Sequence, residues 1–305
     1  MSQFKPSAPN DPLPILATAV VPWTEDFQFE TARFRRQVQT IARGLTRHIY
    51  VFGTAGEGHA VSDAQFDEIA AAFWTVAAEE RVQPMLGVIS LSLPTVIERI
   101  ERGRALGFCE FQISLPAWGA LNDAEVATFF AETCGRFPDC RFLHYNLGRT
   151  KRLLTPDDYQ CLAAAHPNLV AVKMGTEDAA LVAALLAAAP RLRFYFTEFG
   201  YALARQSGRS CGLLVSLAAA NYAQAQQFVR GDDAHRADCV ADLRAMLGTL
   251  LTLGRDRFHM DGAYDKLLHR LHDPEFPLRL LSPYASATAA DFVLFRDSLP
   301  LRWRT

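Results

Sequence analysis

Asn168-Leu169-Val170-Ala171-Val172-Lys173-Met174-Gly175-Thr176-Glu177-Asp178 is the stretch that decides the fold. An apolar, valine-rich run of this length reads as a strand buried on both faces, the kind found in parallel sheets. The run stops at a lysine, and Thr176 then offers an N-cap with Glu177 and Asp178 in the first turn of the helix that follows. Strand alternation sends Leu169, Ala171 and Lys173 to one side and Val170 and Val172 to the other, so Lys173 stands above a small alanine at the C-terminal end. A lysine there is either a surface residue marking the end of a strand or a desolvated amine able to form a Schiff base with a carbonyl compound.

Outward from this stretch the same unit recurs. Short apolar runs at Ile15–Val21, His48–Phe52, Val82–Gly87, Phe111–Ser114, Arg141–Tyr145, Leu169–Lys173, Arg193–Thr197 and Gly212–Ser216 alternate with helical patterns such as Phe34, Val38, Ile41 and Leu45. Helix starts are marked by Ser62 with Gln65, by Leu93-Pro94 and by Thr155-Pro156-Asp157-Asp158, and helix ends by Gly44 and Gly107. Eight regular strand-helix units predict an α/β chain closed into a (β/α)8 barrel over 15–231. An open doubly wound sheet would usually carry a glycine-rich phosphate turn after its first strand, and Val21-Pro22-Trp23-Thr24 offers none. Residues 232–305 stop alternating and predict a C-terminal helical extension, with candidates at Ala241–Leu253, Ala263–Leu271 and Ala287–Asp297. Residues 1–14, with four prolines, read as an N-terminal tail.

Composition narrows the partners. The 305 residues are 50% hydrophobic and 21% charged with a formal net charge of −2, which supports a large core and gives no basic field for nucleic acid or anionic membrane. No apolar run reaches the roughly 20 residues of a spanning helix, and a cytoplasmic protein acting on a small molecule is expected. Six cysteines without C-x-x-C spacing read as buried thiols. The eight histidines show no ligand set, His269 and His272 being expected far from the functional rim, so neither metal nor cofactor is expected. His59 is more readily a helix-surface residue than a site residue.

In a barrel of this kind the chemistry gathers at the C-terminal ends of the strands. Strand two ends in Gly53-Thr54-Ala55-Gly56-Glu57-Gly58, whose backbone N–H groups suit a carboxylate. Strand four ends in Leu115-Pro116-Ala117-Trp118, strand five in His144-Tyr145-Asn146 and strand six in Lys173. Tyr145 and Lys173 are one strand-helix unit apart, which puts a phenol beside an amine on neighbouring strands.

Gly53-Thr54-Ala55-Gly56-Glu57, Tyr145-Asn146, Val172-Lys173 and Ser216…Ala220-Asn221 resemble, in order and place, the signatures of the N-acetylneuraminate lyase and dihydrodipicolinate synthase family of class I pyruvate aldolases. The resemblance runs over roughly residues 13 to 300. It implies that Lys173 forms an imine with pyruvate or another 2-keto acid and that Tyr145 shuttles protons. It also implies that the Thr54-Ala55 turn holds the carboxylate, that Ser216 gives a backbone contact, and that the protein is a homo-oligomer, dimer or tetramer.

Departures from the family pattern sharpen the expectation. Ala55 replaces the second hydroxyl of the turn. Trp118 stands where dihydrodipicolinate synthases carry an interfacial tyrosine, Gly148 replaces a proline, and Arg149 comes one position ahead of the family's substrate-binding arginine. Pro116-x-Trp118-x-x-Leu121-x-Asp123 looks instead like the hydratase-aldolases that cleave benzylidenepyruvates, which implies an aromatic acceptor against Trp118. The expected function is a Schiff-base lyase making or breaking a C–C bond with an aldehyde. Its alternatives are a sugar-acid dehydratase of the same family and a keto-acid-binding barrel without turnover.

Overall fold

A computed structural model describes residues 15–304 of the chain; the tail expected over 1–14 lies outside the described residues. Eight strands close into a parallel barrel in chain order: β1 (Ile15–Thr18), β2 (His48–Val51), β3 (Gln83–Gly87), β4 (Glu110–Ile113), β5 (Arg141–Tyr145), β6 (Leu169–Met174), β7 (Arg193–Phe196) and β8 (Gly212–Leu214). Helices alternate with them: α1 (Thr31–Gly44), α2 (Asp63–Glu80), α3 (Leu93–Leu106), α4 (Asp123–Phe130), α5 (Pro156–Ala165), α6 (Ala179–Ala188), α7 (Glu198–Gln206) and α8 (Tyr222–Arg230). This is the (β/α)8 architecture expected from the repeating apolar runs. The C-terminal helices follow as α9 (Asp233–Gly254), α10 (Asp261–Arg270) and α11 (Ala289–Ser298). The first of them starts eight residues before the expected Ala241, because the Asp232 side chain accepts from the amide of His235 and caps the helix there. No helix among the described residues is long and apolar enough to cross a membrane.

Two compact units divide these elements: 84–214 is one, and 15–83 with 215–304 is the other. In the first, β4 to β8 pair in parallel, with Glu110 opposite Arg141, Tyr145 opposite Lys173, Lys173 opposite Tyr195, and Tyr195 opposite Gly212. A bulge between Phe142 and Leu143 shifts the β5–β6 register before that row forms. The start signals hold for α5, where Thr155 and Asp158 make a capping box and Pro156 fills the first turn, and Ser92 caps α3 ahead of Pro94. At the end of α3, Gly107 takes φ 113°, a conformation that costs a side chain but not glycine.

The cap expected at Thr176 is a correction. Asp178 is the N-cap of α6, its Oδ1 accepting from Ala180 N at 2.9 Å and Leu181 N at 3.0 Å. Thr176 Oγ1 accepts only from Asp178 N, at 3.2 Å. A carboxylate at a helix N-terminus satisfies two amides and meets the positive end of the dipole, so the helix starts two residues later than the sequence suggests. The cysteines need a second correction: Cys161 lies on the solvent face of α5, opposite Tyr159 and Leu162, and is exposed, while Cys109 is half-buried.

In the second unit, β1 pairs with β2 through Ala17 with Ile49 and Thr18 with Tyr50, and Val215 N donates to Leu16 O. The Ser62–Gln65 capping box starts α2 as expected. Phe34, Val38 and Ile41 of α1 are buried, as their 3.6-residue spacing requires, and Phe34 packs edge-on to Phe73 of α2. The C-terminal helices belong to this unit, with α10 next to the turn that follows β8.

Candidate active site

Lys173 is 1% exposed at the C-terminal end of β6, and its Nζ stands 4.1 Å from the centre of the Tyr145 ring. One strand-helix unit of spacing puts these two on adjacent strands, and the register makes them direct neighbours. In-register residues of parallel strands point to the same face, so Tyr145, Lys173 and Tyr195 form one row. Tyr195 was not among the expected site residues. Opposite it, Gly212 has no side chain, and a Cβ there would come within 2.3 Å of the Tyr195 ring. The lysine is therefore bracketed by two phenols, and β8 is thinned to make room for one of them.

Around this row the loops are fixed by polar contacts. Asn146 is buried and brackets the backbone of Leu154, accepting from its N at 2.9 Å and donating to its O at 3.0 Å, while Asn146 N donates to Lys173 O at 3.0 Å. This asparagine, part of the Tyr145-Asn146 pair, thus closes the loop 147–153 on itself. Arg149 sits exposed in the short 3-10 turn Gly148–Thr150 of that loop. Lys151 Nζ donates to Trp118 O at 2.7 Å, and Arg152 reaches Leu121 O at 2.8 Å and Asp123 Oδ1 at 2.6 Å. The loop after β4 is in this way laced to the loop after β5. Its tryptophan side chain is 82% exposed, held by its backbone and presented to solvent.

Thr54 and Ala55 are both buried in the tight turn after β2. The turn folds on itself through Glu57 N to Thr54 O at 3.1 Å and Gly58 N to Gly53 O at 3.2 Å. The amides of Thr54 and Ala55 donate to no other described residue, which suits an anion cradle. Gly58 is required by close approach, since a Cβ would lie 2.4 Å from Phe52 O. Phe52 and Glu57 adopt left-handed φ of 66° and 57°, a conformation that side chains hold only when the surroundings enforce it. For Glu57 the enforcement is visible. Its carboxylate accepts from Trp23 Nε1 at 2.9 Å, Lys266 Nζ at 2.6 Å and Leu281 N at 2.7 Å. Lys266, on α10, is fully buried and also donates to Arg279 O. Desolvation outweighs the attraction of Glu57 and lowers its amine to about 8. Nothing in the spacing of Glu57 and Lys266, 209 positions apart, announces the pair.

Ser216 lies between β8 and the 3-10 turn Leu217–Ala220, its carbonyl accepting from Ala219 N at 3.0 Å. The expectation that His272 lies away from the functional rim is overturned. Its Nε2 donates to Ala219 O at 2.7 Å, and its ring stacks on Tyr222 at 4.0 Å. Burial lowers its pKa, keeping the ring neutral, and the carbonyl bond fixes which nitrogen carries the proton. His59 packs edge-on to Tyr284, 5.1 Å between ring centres. Among the described residues no group of three His, Cys, Asp or Glu side chains could hold a metal ion.

These features define a (β/α)8-barrel protein with added C-terminal helices and a lysine buried at the end of its sixth strand. The chain belongs to the dihydrodipicolinate synthetase family, whose model matches residues 11–204. The 4-hydroxy-tetrahydrodipicolinate synthase of Xanthomonas campestris pv. campestris is 27% identical over 176 residues, a match that spans 57% of this chain and 57% of that enzyme. Two solved structures share the fold over almost the whole chain. YagE, a prophage protein of the dihydrodipicolinic acid synthase family from E. coli K12 in complex with pyruvate, superposes with a TM-score of 0.83 at 14% identity, covering 96% of this chain and 99% of that one. Proteus mirabilis N-acetylneuraminate lyase gives 0.81 at 17% identity, again with 96% and 99% covered. At these identities the likeness is one of fold.

Proposed function

We propose that this protein is a Schiff-base lyase that makes or breaks a C–C bond between a pyruvoyl group and an aldehyde. The observation that carries the reading is the buried Lys173 with its Nζ over the ring of Tyr145. An amine drawn out of bulk water and set in an aromatic wall is placed to attack a ketone, which a solvated surface ammonium is not. Lys173 adds to the C2 carbonyl, the carbinolamine loses water, and the resulting iminium draws electrons from the C3–C4 bond. Tyr145, left as a phenolate by giving its proton to the departing carbinolamine hydroxyl, takes the C4 hydroxyl proton as that bond breaks and the aldehyde leaves; it returns the proton to C3 of the enamine, and water hydrolyses the iminium so formed to pyruvate and free Lys173. The presence of pyruvate in the YagE complex and the membership of the family support a 2-keto acid as substrate by analogy. The carboxylate is assigned to the amides of Thr54 and Ala55 with the Thr54 hydroxyl, a further backbone contact to Ser216, and an outer charge contact to Arg149.

For the acceptor we favour an aromatic aldehyde, on the exposed indole of Trp118 at the end of β4, which offers a flat apolar face and one donor. An indole left open to solvent also suits burial in a homo-oligomer. The test is pyruvate release from paired 2-keto acids carrying aromatic and sugar-derived substituents, with the co-product identified by NMR. An aldehyde co-product and a preference for the aromatic substrate are expected. Loss of water with the carbon chain intact makes the protein a dehydratase, and no turnover in any pair leaves it a binding barrel.

A further inference from the structure

The Glu57–Lys266 pair is placed where a purely structural ion pair has no need to be. Glu57 belongs to the same turn as Thr54 and Ala55, sits in a left-handed conformation, and is only 2% exposed. Every described contact of its carboxylate leads out of the turn: to Trp23 after β1, to Lys266 on α10 and to Leu281 beyond it. The two carboxylate oxygens are divided between them, Oε1 taking Trp23 and Lys266 and Oε2 taking Leu281, so the side chain cannot rotate without breaking one side. The same C-terminal segment presses on the turn directly. Gly262, at the start of α10, approaches so closely that a Cβ would lie 3.1 Å from Ala55 O, and Phe276 packs on Ala55 and Val20. The carbonyls of Gly53 and Thr54, which accept from Gly58 N at 3.2 Å and Glu57 N at 3.1 Å, belong to the peptides that carry the Thr54 and Ala55 amides, so anchoring Glu57 sets the direction of those amides.

We infer that Glu57 and Lys266 are positioning residues: the C-terminal helix α10 holds the 53–58 turn so that the amides of Thr54 and Ala55 converge on a carboxylate. Ala55 contributes no hydroxyl, so the turn has only amides and one threonine with which to bind, and the direction of those amides matters correspondingly more. This assignment rests on the keto-acid reading of the turn. It gives the C-terminal helices a role in substrate recognition although they contribute no group to the substrate.

The test compares two methyl ketones, pyruvate and acetone, which differ in the carboxylate. Each is incubated with wild type and with the double variant Glu57→Gln, Lys266→Met, and the imine is reduced with borohydride and counted by intact mass. The double variant removes both buried charges together, which spares the fold from a stranded ion, and leaves the glutamine oxygen to accept from one of Trp23 Nε1 and Leu281 N in place of both. The half-saturating pyruvate concentration is expected to rise by about tenfold or more with trapping by acetone unchanged. Unchanged pyruvate saturation, or an equal loss for both ketones, overturns the proposal. Absence of any pyruvate adduct in wild type overturns instead the keto-acid reading beneath it. Should the double variant not fold, Trp23→Phe removes one donor and leaves both charges, and a rise of about two- to fivefold for pyruvate alone is expected; no rise overturns the proposal.

Discussion

Lys173 and Lys266 are both buried, and they are buried in opposite ways. Lys266 is neutralised by a carboxylate 2.6 Å away and by a backbone carbonyl, so its charge is spent on holding two segments of chain together. Lys173 lies over an aromatic ring, in a row with a second tyrosine. The first arrangement ties two segments of chain together, and the second sets an amine against the ring of Tyr145. The chain holds only four lysines among its 31 basic side chains. Where arginine serves nearly everywhere else, these two positions use the one basic side chain that can lose its proton and be buried without a planar fork to satisfy.

If that contrast is right, the two lysines respond differently to the same substitution. Lys173→Met is expected to abolish turnover while shifting the melting temperature by only a few degrees, because functional groups are held at some expense to stability. Tyr145→Phe keeps the ring under the amine and removes the hydroxyl. A loss of roughly 10²–10⁴-fold in kcat is expected with stability almost unchanged. A variant near wild-type rate would return Tyr145 to the core. Lys266→Met strands the Glu57 carboxylate in the interior, and chemical denaturation should report a loss of about 3–5 kcal/mol. A loss no larger than that of Lys173→Met would remove the distinction between the two sites.

A pH effect is shared by the barrel strands and the C-terminal helices. His144 on β5 donates or accepts with Tyr159 Oη at 2.8 Å and is lowered to about 3 by burial; His269 on α10 is lowered to about 3 by burial and by its neighbour His272. Both folded values lie below the ordinary 6.5, so the unfolded chain binds protons that the folded chain refuses. Their stabilisation is complete above pH 6.5 and is lost as pH falls towards 3, at up to ~1.4 kcal/mol per histidine per pH unit. His269→Phe should flatten the acid limb of a stability-against-pH curve by about that slope. An unchanged slope would show that His269 is protonated in the folded protein.

How far the sequence carries depends on the range over which an interaction acts. Strand runs, capping boxes at Ser62 and Thr155, and the adjacency of Tyr145 and Lys173 follow from periodicity and from one strand-helix unit of spacing, and they were legible. The choice of Asp178 over Thr176 as a cap was not, since both are good caps and local backbone geometry decides between them. The Glu57–Lys266 pair and the His272–Ala219 contact join residues 209 and 53 positions apart. No pattern along the chain encodes such pairings; they appear only when α10 packs beside the turns it holds. Tyr195 is not legible in the sequence, because a tyrosine in a strand reads as core until the register sets it beside the lysine.

The central claim is that the reactive amine is the one on the aromatic wall and not the ion-paired one. Incubation with pyruvate and borohydride followed by proteolysis and peptide mapping puts that claim to its most direct test, with only four lysines to distinguish. One pyruvate-derived mass on the peptide carrying Lys173, absent in Lys173→Arg, is the predicted result. An adduct on the Lys266 peptide, or none on either, contradicts the account.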